Sequence, residues 1–419
     1  MCSILKRRQG ANPKTAPPTA TPNRKARNVK IVIAPDSFKG ALSAQDAAAA
    51  MHRGVETIFP DAECVTVPVS DGGEGTAEVM LAAYGGEVKT CKTVDALGRE
   101  REAEFTWIPS QKMVVMDTAE AAGIMYIGML ERNIMESNTE GVGMILKAAL
   151  DLQPETIIVG LGGSATNDGG WGMMYNLGAR LYNESGESLD PKVSALPNAA
   201  KLDLSGLDPR LQNVKLIAAN DVRNPLTGPT GASAAFGPQK GAKPLQLGKL
   251  DRCLKNWGRL LEETTGRQIV DQEGAGAAGG MAAAFFALGA ENRKGFDVVA
   301  EATHLNEALD GADLVLTGEG QLDRQTQRGK TPWSVAQLGR SRNIPVIAFA
   351  AKLGIGHEIL LQDGFTAIVP IMHQTMTSDK SAMEKVPMLL EDSVTLTLQL
   401  MTVGANPAIS DILLKAFDD

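Results

Sequence analysis

Six short glycine-rich segments carry the residues of this chain that can do chemistry. They are Asp36-Ser-Phe-Lys-Gly40, Asp71-Gly-Gly-Glu-Gly75, Gly160-Leu-Gly-Gly-Ser-Ala-Thr-Asn-Asp-Gly-Gly170, Phe236-Gly-Pro-Gln-Lys-Gly241, Gly274-Ala-Gly-Ala-Ala-Gly-Gly280 and Thr317-Gly-Glu-Gly320. Glycine lets a backbone approach a ligand closely and aim its N–H groups at oxygens. The interspersed Asp, Glu, Asn and Lys supply metal ligands, proton acceptors and charge clamps. Seven carboxylates fall in these and neighbouring loops: Asp36, Asp71, Glu74, Asp168, Asp221, Glu319 and Asp323. Carboxylates crowded into a partly closed site raise one another's pKa or need a cation, and Mg²⁺ with a triphosphate meets that need. Taken singly, each reads equally well as a helix cap or a turn. The pattern suits phosphate and magnesium chemistry on a small polar substrate.

Other motifs are weaker. Gly160–Ala165 fits G-x-G-x-x-A after a strand, but Ser164, Thr166, Asn167 and Asp168 crowd it and suit a pyrophosphate poorly. Gly274–Gly279 fits G-x-G-x-x-G without an apolar strand before it. A phosphate-cradling loop at the start of a Met281–Leu288 helix is the better reading, since helix amino termini favour anions. Gly329-Lys330-Thr331 looks like the end of a Walker A loop whose leading glycine is replaced by Arg324. Lys330 is there either a phosphate ligand or a solvated helix-start lysine. Gly162–Thr166 lacks the second glycine of a nucleophile elbow and has no histidine nearby, so hydrolase chemistry is set aside.

Most of the glycine segments follow an apolar, β-branched run, which puts them at the carboxyl ends of strands, where open α/β sheets bind ligands. Five runs read as buried parallel strands: Val29–Ala34, Cys64–Val69, Asp313–Leu316, Pro345–Ala350 and Ala367–Ile371. Ser43-Ala-Gln-Asp46 is a capping-box-like start for a helix reaching about Phe59. Residues 332–342 and about 381–401 supply further helices. This predicts an α/β, doubly wound domain split in sequence, made of 28–87 and 291–419, with a second α/β domain inserted at 88–290. The insert opens with strands at 88–94, 101–108 and 113–118. A helix at about 139–151, strands 156–159 and 216–219, and a helix near 246–265 follow. In that last helix Leu250, Leu254, Trp257 and Leu261 share a core-facing stripe.

The bulk numbers agree with two domains in 419 residues. Four cysteines and four histidines are dispersed, so neither a disulfide framework, a zinc site nor a Ser-His-Asp triad has material. No apolar run reaches transmembrane length. Residues 1–27 carry seven basic side chains and no acidic one; the remainder holds 34 basic against 49 acidic groups, a net of −15. An acidic body argues against nucleic acid as partner, while local loops can still bind ATP. The proline-containing stretch 1–27 is expected to be a disordered tail, either a targeting peptide or a segment upstream of a true start near Val29.

Read together, the loops resemble the bacterial glycerate kinases of the type-1 class. The matching stretches are IVIAPDSFKGALSA (31–44), VPVSDGGEGTAE (67–78), IIVGLGGSATNDGGWGM (157–173), NDVRNPLTGPTGASAAFGPQKGA (220–242), GAGAAGGMAAAF (274–285) and TGEGQLDRQTQRGKTP (317–332). They run in order through almost all of 29–370. The resemblance implies ATP-dependent, Mg²⁺-assisted phosphorylation of D-glycerate in the cytoplasm, with 2-phosphoglycerate as the usual product. It also implies a flavodoxin-like domain with a restriction-endonuclease-like domain inserted. The sequence departs from the family pattern at Ile134, Asn138, Met144, Asn220 and Ala350-Ala-Lys-Leu353, positions that bear on substrate preference or turnover. A kinase for another small hydroxy or sugar acid, or a ligand sensor without catalysis, are the rival readings.

The expected mechanism is in-line transfer of a γ-phosphoryl group, governed by positioning and charge neutralisation. Lys39 and Lys240 are expected to clamp phosphate or carboxylate oxygens. Ser164, Thr166 and Asn167, with the amides of Gly162 and Gly163, are expected to hold one anionic group. Asp36, Ser37, Asn224, Gln239, Gly276, Gly279, Gly280, Glu319 and Lys330 complete the expected substrate and phosphate contacts. Asp221 or Asp323 would accept the hydroxyl proton, and Asp71, Glu74 or Asp168 would hold Mg²⁺. Neither nucleic acid nor membrane is an expected partner, and a homo-oligomer is compatible with the sequence.

Overall fold

The computed structural model describes residues 28–73, 75–372 and 383–404. Glu74 and the expected tail at 1–27 lie outside the described residues. Two sheets organise the chain. The first contains β1 (Lys30–Ile33), β2 (Glu63–Thr66), β11 (Leu314–Leu322), β12 (Val346–Leu353) and β13 (Ala367–Pro370) in the order β13-β12-β11-β1-β2, all parallel. Counting only these strands the order is 2-1-3-4-5, the flavodoxin-like arrangement, and its direction of winding reverses between β1 and β11.

Both faces of this sheet are covered, which is why its strands read as continuous apolar runs. Ile31 and Ile33 pack with Ala47, Met51 and Val55 of the Ala44–Ile58 helix and with Leu390, Val394 and Leu398 of the Val386–Gly404 helix. Val32 faces the other way, toward Val299, Leu305 and Val335. The Ala44–Ile58 helix starts where the capping pattern puts it: Asp46 N donates to Ser43 Oγ at 3.1 Å.

The second sheet is mixed. It contains β3 (Glu87–Val94), β4 (Glu100–Ile108), β5 (Met113–Asp117), β6 (Thr156–Gly160), β9 (Lys215–Ala219) and β10 (Glu291–Arg293) in the order β10-β9-β6-β5-β4-β3. The last four in chain order are parallel, while β4 runs antiparallel to β5 and β3 to β4. A separate antiparallel pair, β7 (Arg180–Tyr182) and β8 (Lys201–Asp203), lies beside it. The expected boundary at 290/291 would put Glu291 with the first sheet, but β10 hydrogen-bonds to β9. Likewise the Thr76–Tyr84 helix joins the second sheet, with Thr106 Oγ1 donating to Ala77 O at 3.2 Å.

Side chains alternate across the second sheet with period two. Val114, Met116, Ile157, Val159, Leu216 and Ala218 face a core built with Trp171, Trp257 and Phe285. Val115, Ile158 and Ile217 face a core shared with Val69, Val79 and Phe296 and continuous with Val32 of the first sheet. That shared core fixes the two sheets against each other. Among the described residues no helix is long and apolar enough to cross a membrane.

Candidate active site

Strands of both sheets end at one cleft. Asp71 follows β2, Gly162 follows β6, Asp221 follows β9 and Lys294 follows β10, and all four line it, while Asp36, which follows β1, is buried and does not. Glu319 sits within the carboxyl half of the long strand β11. The cleft has a volume of about 1160 Å³ and is bounded on one side by Asp71, Gly162, Asp221 and Asn224 and on another by Gln325, Lys330 and Trp333. The start of the 160s turn, Leu161 and Gly162, and the 325–330 stretch therefore face the same space. Gly72 makes this convergence sterically feasible: it has φ +81°, and a Cβ there would lie 2.5 Å from Gly295 Cα. This close backbone crossing seats the Asp71 turn against the start of the Gly295–Ala302 helix, whose Phe296 N–H donates to Asp221 Oδ2 at 3.4 Å.

The carboxylates share one electrostatic field. Burial pushes Asp221 up to about 7, with the charges of Asp71 and then Asp297 adding to it and the Phe296 N–H and Lys294 opposing. Glu319 is also pushed up to about 7 by burial, against the opposing charge of Lys330 and with help from Asp36 and Asp71. Asp36 is raised by burial first and by Asp71 second, while Thr331, Ser37 and Lys39 stabilise its ionised form. The Gly329-Lys330-Thr331 turn closes onto this group. Lys330 Nζ is 3.3 Å from Glu319 Oε1, and Thr331 Oγ1 donates to Asp36 Oδ2 at 2.6 Å.

The donor set suits Mg²⁺ in one specific way. Among the described residues no three His, Cys, Asp or Glu side chains are placed to enclose a metal ion. Mg²⁺ is usually held by one or two carboxylates plus substrate phosphates, not by an all-protein cage. Asp71 meets that description: it borders the cleft, it is only half-buried, and its charge acts on Asp36, Asp221 and Glu319.

Several expected site residues are elsewhere. Asp168, expected to ligate metal, is fully buried. Its carboxylate accepts from Thr139 N (2.9 Å), Thr139 Oγ1 (2.8 Å), Gly170 N (3.2 Å) and Gly172 N (3.0 Å), so it ties the 160s loop to the Trp171–Asn176 helix. Lys240, expected as a clamp on substrate, is buried with it. Its Nζ donates to Ser164 Oγ at 2.8 Å and Thr166 O at 2.7 Å, and burial lowers it to about 7. Ser164, Thr166 and Asn167 are buried in the same knot, where Asn167 Nδ2 donates to Ser233 Oγ at 2.9 Å. Of that loop Gly162 lines the cleft, while Gly163 is exposed and its carbonyl accepts from Ile124 N.

Gly276, Gly279 and Gly280 are likewise not an open phosphate cradle. Ala278, Gly279 and Gly280 all have positive φ, and their turn packs beneath the 160s loop, with Gly169 N donating to Gly279 O at 3.1 Å. Asn224 reaches the cleft wall but its Nδ2 is committed to Thr230 O. Gln239 is exposed, with its carbonyl accepting from Arg132 Nη1. Lys39 is exposed beside Asp36, and Ser37 N donates to Asp36 Oδ1 at 2.6 Å. Asp323 caps the 3₁₀ turn Arg324–Arg328: Oδ1 accepts from Gln325 N at 2.7 Å and Oδ2 from Gln321 Nε2 at 2.6 Å. Asp323 does not line the cleft, so the structure does not place it as a general base. Asp323→Ala should therefore cost about 1 kcal/mol of stability, as cap removals do, and leave kcat much less affected than loss of Asp221. Paired urea titration and steady-state kinetics check this.

Sequence reasoning missed Lys294, Phe296, Asp297 and Trp333, all on the cleft wall. Lys294 follows a short polar strand, Glu291–Arg293, that no apolar pattern marks. The strand-end rule that found Asp71 and Asp221 would have found Lys294 had that strand been recognised.

Comparison with known proteins agrees with this architecture. The model of the glycerate kinase family matches residues 31–402. The chain is 43% identical over 345 residues to the glycerate kinase of Bacillus subtilis strain 168, covering 82% of this chain and 90% of that one. It is 39% identical over 354 residues to the glycerate 2-kinase of Escherichia coli K12, covering 84% and 93%. A crystal structure from Salmonella typhimurium LT2, assigned to glycerate kinase 2, superposes with a TM-score of 0.77 at 38% identity, over 90% of this chain and 100% of that one. The chain belongs to the glycerate kinase family.

Proposed function

We propose that the protein transfers the γ-phosphoryl group of ATP to a hydroxyl of D-glycerate, giving ADP and 2-phosphoglycerate, in the cytoplasm. The observation that carries this reading is the pairing of Asp221 with Lys330 on the walls of one cleft. A carboxyl group held near neutral pH is suited to take a proton from an alcohol. A lysine at the amino terminus of the Thr331–Ser341 helix is suited to a phosphate chain, where the helix dipole adds to its charge.

In this mechanism Asp221 orients the substrate hydroxyl and accepts its proton. Lys294, the neighbouring cation on the cleft wall, faces the substrate carboxylate. Lys330 and the first-turn amides of its helix bind the triphosphate, and Lys39 beside Asp36 supplies a second positive charge. Asp71, with Glu74, would hold Mg²⁺, which neutralises phosphate charge when bound. Closing of the loops that wall the cleft around the bound substrates excludes water and limits ATP hydrolysis. The buried Asp168–Lys240 knot acts at one remove, by holding the 160s turn in place.

Purified protein incubated with ATP, Mg²⁺ and D-glycerate should release ADP in proportion to glycerate, and NMR of the product should show the phosphate on the 2-hydroxyl. No glycerate-dependent ADP would remove the reading. Turnover only with another hydroxy acid would change the substrate while keeping the chemistry. Calorimetric binding without turnover would favour a sensor.

A further inference from the structure

One buried carboxylate behind the cleft takes no part in phosphoryl transfer. Asp117 ends β5, directly opposite Gly160 at the end of β6. It is 6% exposed and does not line the cleft. Its Oδ2 accepts from Gly75 N at 3.0 Å, a contact between residues 42 apart in sequence. Gly75 begins the Thr76–Tyr84 helix with φ +91° and has no side chain with which to cap it. Asp117 supplies the cap from a neighbouring strand, at the end of the helix that favours negative charge. The fit is close: a Cβ on Gly160 would run into Asp117 Oδ1 and would lie 2.9 Å from Gly72 O. The turn that this cap fixes carries Asp71. Gly73 N donates to Asp71 Oδ1 at 3.0 Å, and Thr76 Oγ1 donates to Gly73 O at 2.7 Å and lies 2.9 Å from Ser70 Oγ. Leu161 N donates to Gly72 O at 3.1 Å, so the turn also leans on the 160s loop.

We infer that Asp117 is a positioning residue for the metal-binding turn: it holds Gly75, through Gly75 the 71–76 turn, and through that turn the place of Asp71 in the cleft. Lying behind the cleft wall, it touches neither substrate nor nucleotide. A ligand already held in place binds a cation more tightly than one that must first be ordered, and groups behind metal ligands set affinity by about 10- to 100-fold. This assignment rests on the reading of Asp71 as the residue that holds Mg²⁺, and deepens it by naming what fixes Asp71. Position and charge are separable here. Asp117→Asn keeps an oxygen where the Gly75 N–H needs one and loses the charge. Asp117→Glu keeps the charge, but its extra methylene has no room against Gly160 and moves the acceptor off Gly75.

Mn²⁺ in place of Mg²⁺ is the probe, because its binding to the full-length protein with ADP is read by electron paramagnetic resonance without turnover. Asp117→Glu should weaken Mn²⁺ binding about tenfold or more, and Asp117→Asn should stay within about threefold of wild type. Hydrogen exchange of the 71–76 amides should speed up in Asp117→Glu, while that of β11 and β12 stays as in wild type. The KM for D-glycerate should change less than about threefold in both variants. Mn²⁺ binding by Asp117→Glu at wild-type strength overturns the inference. So does an Asp117→Asn as weak as Asp117→Glu, because charge and not position would then be at work. Should Asp117→Glu fail to fold, Asp117→Ala, which removes the acceptor without a clash, carries the same expectation. Asp71→Asn is the control for the underlying reading. If it binds Mn²⁺ as wild type does, the metal assignment of Asp71 falls and the inference with it. If it loses Mn²⁺ while Asp117→Glu does not, only the positioning role falls.

Discussion

Asp221→Asn should lower kcat with D-glycerate by about 10²-fold or more, the usual scale for losing a general base, with little change in stability. The carboxyl is half-buried at the end of β9 and makes one long contact, to Phe296 N at 3.4 Å, so the fold depends on it little. The pH dependence follows from the same surroundings. Burial and the Asp71 charge raise Asp221 to about 7, and only its ionised form accepts a proton. The wild-type kcat/KM should therefore fall as pH drops through about 7. Removing the Asp71 charge removes one of the causes that raise Asp221. The acid limb of Asp71→Asn should accordingly move to lower pH, on top of any loss from weaker Mg²⁺ binding. An Asp221→Asn enzyme with kcat near wild type, or an acid limb that ignores Asp71, would end the general-base assignment.

Gly279→Ala should destabilise the protein by about 4 kcal/mol or more, or prevent soluble expression altogether. Two costs combine. Gly279 has φ +70°, a left-handed conformation that any L side chain adopts at a penalty. Its Cβ would also run into the Thr166 carbonyl, the group that accepts from buried Lys240. Backbone on both sides leaves no flexible side chain to yield. Gly98, also at positive φ (+82°) but with open space around its Cβ position, is the control: Gly98→Ala should cost only about 1 kcal/mol. Urea unfolding of the two variants tests the contrast. Similar stabilities would mean that the 274–280 turn adjusts, and that it does not hold the 160s loop rigidly.

The residues show why the fold was more legible than the site. Strand runs such as Ile31–Ile33 and Ile157–Val159 are apolar on both faces, so their place in a covered sheet follows from composition alone. The Ser43–Asp46 cap marked a helix start that the structure keeps. The glycine loops were found for the same reason, by following apolar runs. Side-chain direction inside those loops was not legible. Ser164, Thr166, Asn167, Asp168 and Lys240 have the composition of a ligand shell, and the chain turns them inward as a hydrogen-bonded knot. Polar groups that bind ligand and polar groups that bind backbone are drawn from the same residue types. Asp323 illustrates the same ambiguity: a carboxylate after a strand is as readily a cap as a base. Trp333 and Phe296 escaped notice because an aromatic at helical spacing reads as core, and only the cleft geometry distinguishes them.

The pairing of β1 with β11 carries a consequence for synthesis. Lys30 N donates to Asp313 Oδ2 and Val32 sits opposite Val315, partners separated by more than 280 positions along the chain. A ribosome releases β1 long before β11 exists. Until then, one hydrogen-bonding edge of the nascent central strand has no native neighbour, and the intervening domain must collapse first. Bringing such distant partners together is slow, and exposed strand edges promote aggregation in the meantime. Chains interrupted shortly before residue 314 should be the species that chaperones hold, and low temperature during expression should raise the yield of folded enzyme.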